Sequence, residues 1–229
     1  MAVAVLNDWA GANRAGSPNG SLTISAGSDR LLWIVNMVET GTTNSFTSIT
    51  VGTVAPTGSL VEESTNVPNS FLWSWYWDEA AIASMTGTTV AFSKSGTPGT
   101  VDWDYIVFSG ASGGAEYATS TDETAVNSSI TLTGTSTADD MIAVAINRNA
   151  SARDVQGYDT LTEGWQYNVD YTIAVADGAG GDDTISLTGD GFSGAWLVQA
   201  LHVKSSGGGG GGAGGTMLKQ MLTTHTHGQ

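Results

Sequence analysis

The chain has 229 residues, of which only 13% are charged, with no cysteine and a formal net charge of -15. Without cysteine there is neither a disulfide framework nor thiolate chemistry, and an acidic excess this large is repelled by phosphate backbones and anionic membranes, so neither nucleic acid nor membrane is an expected partner. No stretch reaches the roughly 20 apolar residues of a membrane span, and 1–9 lacks the basic region and apolar run of a secretory leader.

Period-two alternation bounded by Gly, Asn, Asp, Ser or Pro predicts strands over 21–25, 30–39, 47–54, 71–78, 89–93, 101–109, 129–133, 141–148, 165–176, 184–188 and 195–204. In 30–39, Leu31, Trp33 and Val35 share one face and Leu32, Ile34 and Asn36 the other, which marks the strand as central. In 71–78, Trp73, Trp75 and Trp77 share a face with Phe71. Exposed, that row would be a glycan platform stacking pyranose rings; the favoured reading is core packing, because a β core consumes large aromatics. The segment 79–85 is the sole helix candidate before residue 207.

Strand 101–109 carries Asp102 and Asp104 two residues apart, about 6–7 Å on one face, near the carboxyl spacing of inverting glycosidases; a solvated strand end is the favoured alternative. Gly110-Ala-Ser-Gly-Gly114 matches the Gly-x-Ser-x-Gly nucleophile elbow, which also requires a following helix and a histidine. Residues 115–124 are polar and aperiodic, and His202, within a strand, is the only histidine before 207, so a glycine turn is expected. In 141–148, Ala143 and Ala145 oppose Ile142, Val144 and Ile146, which suits close approach of a loop or neighbouring subunit. Residues 178–185 partly match the calcium-binding Gly-Gly-x-Gly-x-Asp nonapeptide. Asp182, Asp183 and Asp190 are therefore the candidate ligands of a structural Ca²⁺, with an acidic hairpin turn as the alternative; no other metal and no cofactor is expected.

The chain resembles itself. Residues 21–25 and 29–36 pair with 129–133 and 140–147, and 89–93 leading to Trp103 and Val107 pairs with 184–188 leading to Trp196 and Leu201. The expected fold is all-β: an antiparallel, jelly-roll-like β-sandwich over 1–206 with an approximate internal repeat, its halves at 1–110 and 115–206. One larger sandwich is favoured over two tandem ones, since no linker richer than 110–114 separates the halves.

After the body come 207–215, all glycine except Ala213, and then the peptide 216–229. Glycine has no side chain to pack and loses the most backbone entropy on ordering, so this run is a tether reaching about 30 Å. Beyond it Met217, Leu218, Met221 and Leu222 form a compact stripe if 216–223 is helical, with Thr216 placed to cap it. So short a helix needs a groove to be stable. The stripe, with His225 and His227 as terminal contacts, is the predicted partner-binding segment; a metal site shared by the two histidines across a symmetry axis is the alternative.

A cysteine-free β body carrying Ala26-Gly-Ser-Asp-Arg-Leu-Leu-Trp-Ile-Val35, Val101-Asp-Trp-Asp-Tyr-Ile-Val-Phe108 and a glycine-rich C-terminal segment resembles the jelly-roll structural proteins of tailed-bacteriophage virions, the decoration, fibre and tail-surface proteins. The resemblance covers most of 20–215 at the level of pattern. It implies a non-enzymatic, oligomeric virion-surface subunit made in the host cytoplasm, with other virion proteins as partners: the major capsid protein, or a tail or fibre subunit. The expected function is capsid decoration, the C-terminal tail clamping a neighbouring subunit. The alternatives are a tail or fibre receptor-binding module and a bacterial carbohydrate-binding or carbohydrate-active protein.

Overall fold

A strand apolar on both faces needs a layer on each side. In β4 (Leu31–Val38) every residue from Leu31 to Asn36 is buried. The computed structural model describes residues 1–9, 13–14, 20–38, 45–63, 71–95, 101–118, 121–149, 155–168, 172–191 and 194–205, and within them both layers are present.

In the first half a large sheet runs in the order β1 (Ala4–Asn7), β9 (Val101–Ser109), β4, β7 (Phe71–Trp77) and β6 (Gly58–Glu63), with β2 (Asn13–Arg14) also on β9. A small sheet of β3 (Gly20–Ser21), β8 (Thr89–Ser95) and β5 (Ser45–Val51) covers one of its faces. The second half has the same order: β10 (Gly114–Tyr117), β18 (Gly194–Lys204), β13 (Met141–Asn149), β16 (Thr172–Ala179) and β15 (Thr162–Asn168), with β11 (Thr121–Ala125) also on β18. Its small sheet is β12 (Ser128–Thr131), β17 (Thr184–Gly189) and β14 (Val155–Gly157). Every pairing is antiparallel. In each half, apart from consecutive strands that share the large sheet (the hairpins β6–β7 and β15–β16 among them), the chain crosses between sheets, and its last strand returns between the first and the central one, a jelly-roll-like connectivity. Helix α1 (Glu79–Ser84) follows β7, capped by the Asp78 carboxylate accepting from Ala81 N at 2.9 Å.

Each half encloses its own core: Leu32, Ile34, Val90 and Trp103 belong to the first, Ile130, Val144, Ile185 and Trp196 to the second. The outer faces of the two large sheets then meet in a third apolar layer containing Trp33, Val35, Phe108, Ala143, Ala145 and Leu201. What approaches Ala143 and Ala145 is the chain's own first half. The pairing of 29–36 with 140–147 also slips by one residue. Asn36 alternates with Leu32 and Ile34 toward the first core, whereas Asn147 alternates with Ala143 and Ala145 toward the other half, where its Nδ2 donates to Phe71 O at 3.1 Å.

The contacts between the halves are reciprocal. Val3 N donates to Asp139 O at 2.8 Å, and the connecting turn is held to the first half by Ala111 N donating to Asp29 O at 2.8 Å. Trp9, packed edge-on against Trp33, reaches across to donate from Nε1 to Asp177 Oδ1 at 2.8 Å, while Tyr117 crosses the other way onto Tyr76 with ring centroids 5.8 Å apart. Burial pushes the Asp177 carboxyl up and the Trp9 bond opposes it. At the centre Ser74 Oγ donates to Gln199 Oε1 at 2.7 Å, and Gln199 Nε2 donates to Leu72 O at 2.9 Å, so β18 grips β7 through buried amide bonds.

Candidate functional site at the root of the C-terminal arm

β18 is eleven residues long, and its burial pattern has every residue buried except Lys204. It lies between β13 on one side and β10 and β11 on the other, so the strand leading to the tail is fixed along both edges. At its end Lys204 Nζ meets Glu116 Oε1 at 2.7 Å and Lys204 O accepts from Gly113 N at 3.0 Å.

One step further the chain is clamped by a buried carboxylate. Ser205, 2% exposed, donates from its backbone N to Asp140 Oδ1 at 2.8 Å. Asp140 Oδ2 accepts from Thr137 N at 2.9 Å and lies 3.2 Å from His202 Nε2. Burial alone would raise this carboxyl; the bonds from Ser205 N, Thr137 N and His202 outweigh it and hold the group down at about 2. An ionised carboxylate only accepts, so His202 Nε2 is the donor of this contact, and the buried Nδ1 has no partner among the described residues. The carbonyl of Asp140 accepts from Gly180 N at 2.9 Å, tying the clamp to the turn before β17. Ser205, the last described residue, is thus fixed to the body. The arm's own residues, 206–229, including the predicted partner-binding Met217, Leu218, Met221, Leu222, His225 and His227, lie outside the described residues.

The other candidates do not assemble. Trp73, Trp75 and Trp77 are at most 6% exposed and belong to the first core, where Trp75 packs edge-on against Phe92, so the row is no glycan platform. Asp182 and Asp183 stand at the start of β17 and Asp190 just past its end, roughly 20 Å away at strand rise, so the three carboxylates cannot share a Ca²⁺. Each has a partner of its own: Asp182 Oδ1 accepts from Thr184 N, Asp183 Oδ1 from Ser136 N, and Asp190 Oδ1 pairs with the buried Arg148 Nη1 at 3.2 Å. Arg148 also lies over the Trp196 ring, 4.6 Å from its centroid. No group of three or more His, Cys, Asp or Glu gathers among the described residues.

Gly110 to Gly114 form a turn rather than an elbow. Gly110 has φ +73° and Gly114 φ +81°, Gly114 N donates to Ala111 O at 2.9 Å, and a strand follows where a nucleophile elbow needs a helix. Asp104 is fully buried, with Oδ1 accepting from Tyr105 N at 2.7 Å, so it marks no solvated strand end; the Asp102 side chain lies outside the described set.

Asp140, Thr137 and Ser205 carry no motif. The only signal in the sequence is a pair of acids, Asp139 and Asp140, directly before an apolar strand, which reads as an ordinary turn. Comparison of the chain with protein-family models, with curated proteins and with solved structures returned no match.

Proposed function

We propose that this chain is a non-enzymatic structural subunit of a tailed-bacteriophage virion: a capsid decoration protein that sits on the particle exterior and holds a neighbouring subunit with its C-terminal arm. The observation that carries this reading is the clamped root. A flexible tether adds binding strength only if both its ends are fixed, because the effective concentration of the arm's tip is set by tether length from a defined origin. The buried Asp140 carboxylate supplies that origin at Ser205, directly before 206–215. The predicted Met and Leu stripe supplies a tip suited to a groove, and flexible Met side chains adapt to one.

The acidic body fits the same role. A large net charge of one sign keeps free subunits apart before assembly, while the tail carries Lys219 and no acid and meets an acidic neighbour without repulsion. The neighbours are other virion proteins, a shell subunit or further copies of this chain. Antibody labelling of intact, purified virions tests the reading: decoration predicts regular labelling of the head surface, labelling confined to the tail or fibres assigns the chain to receptor binding, and unlabelled particles refute it.

A further inference from the structure

The first core reaches the surface beside α1. Ile24 and Met85 are half-buried on its edge, and with the buried Ile82 they form the apolar wall of an open groove of about 170 Å³, closed on the other sides by Arg30, Gly87 and Thr88. Arg30 is held there by Glu79, with Nη2 donating to Oε1 at 2.6 Å and the backbone N to Oε2 at 2.6 Å. This volume suits one Leu- or Met-sized side chain.

The groove lies close to where the arm leaves the body. Ser205 follows Lys204, whose carbonyl accepts from Gly113 N at 3.0 Å; two residues earlier Ala111 N donates to Asp29 O at 2.8 Å, and Asp29 precedes Arg30 of the groove. Adding chain and interstrand spacings along this path puts Arg30 at most about 25 Å from Ser205. A glycine-rich stretch from Ser205 to Met217 has a root-mean-square span of roughly 17–21 Å and an extended limit near 40 Å, so the tip reaches the groove without strain.

We propose that in the free subunit the segment 217–222 docks in cis, with one of its Met or Leu side chains filling the groove beside α1 lined by Ile24, Ile82 and Met85 of its own chain. The proposal rests on the reading of 216–222 as an apolar anchor. Stowing keeps the anchor from binding another free subunit before assembly, and release exchanges this groove for one on a neighbour, the low-cost logic of a segment swap.

The absence of cysteine makes the test clean. Met217→Cys is paired with Met85→Cys and, in a second variant that touches only an exposed turn, with Thr88→Cys; dilute protein is oxidised and run on non-reducing gels. Stowing predicts an intrachain disulfide in either pair. It should form about 10-fold more slowly when Leu218, Met221 and Leu222 are replaced by serine at unchanged tether length, because only docking raises the local concentration above that of the tether alone. Three results overturn the proposal: no disulfide in either pair, a disulfide that forms as fast without the stripe, or a disulfide found only between chains. Each leaves decoration standing, since virion labelling reads that separately.

Discussion

Asp140 is a buried carboxylate that stays ionised because three donors face it, and the pH dependence of stability follows from that. Its carboxyl titrates near 4 in an unfolded chain and near 2 in the folded one, so the stability it contributes is complete above about pH 4 and is lost as pH falls toward 2. That contribution is about 2 kcal/mol at neutral pH. Asp140→Asn removes it and disturbs the bonds to Ser205 and His202, so the variant is expected to melt lower than the parent at pH 7. Because only the parent has a contribution to lose, the gap between their Tm values should narrow steadily as the pH is lowered from 5 to 2. Equal melting temperatures at pH 7, or a gap that does not narrow, would remove Asp140 from the role of clamp.

At the scale of elements, β15 meets the Trp9 side chain. A Cβ at Gly164 would stand inside van der Waals contact of the Trp9 ring, so any larger residue there displaces the indole from its bond to Asp177. Gly164→Val is expected to cost about 1–3 kcal/mol, the usual penalty for overpacking, and to red-shift tryptophan emission; unchanged Tm and emission would contradict the placement of Trp9. Strong period-two runs were legible in the sequence, and β4, β7, β8, β9, β13, β17 and β18 all lie where alternation puts them, give or take a few residues. The helix expected at 79–85 is present as α1, whose cap at Asp78 went unread because that residue was counted into the preceding strand.

Weakly patterned strands were not legible. β10 (Gly-Ala-Glu-Tyr) and β11 (Thr-Asp-Glu-Thr-Ala) have no apolar alternation and exist because β18 offers them an edge, a tertiary cause that local sequence does not carry. The predicted strand 165–176 is instead two, β15 and β16, paired as a hairpin: alternation continued through 169–171 without the Gly or Pro that usually signals a reversal. The clamp was hidden for a similar reason. Asp140, Thr137, His202 and Ser205 come together only when β13 and β18 pair, and none is part of a spaced motif.

At the scale of the molecule, the shared layer between the large sheets couples two halves that each have a core. Calorimetry should therefore show one transition. Gln199→Ala, which strips Ser74 Oγ and Leu72 O of a buried partner, should lower stability by about 1–3 kcal/mol while keeping that transition single. Two resolved transitions in the parent chain would mean that the reciprocal contacts do not bind the halves into one unit. The three cores are filled by residues up to Val203, so a chain lacking the C-terminal segment should still fold.

Titration of purified virion particles stripped of this subunit, with the full chain and with a chain ending at Ser206, tests the central claim most directly. The truncated chain is expected to fold with a single melting transition and to leave the particles bare at concentrations where the full chain saturates them. A truncated chain that reaches the same occupancy would contradict the account.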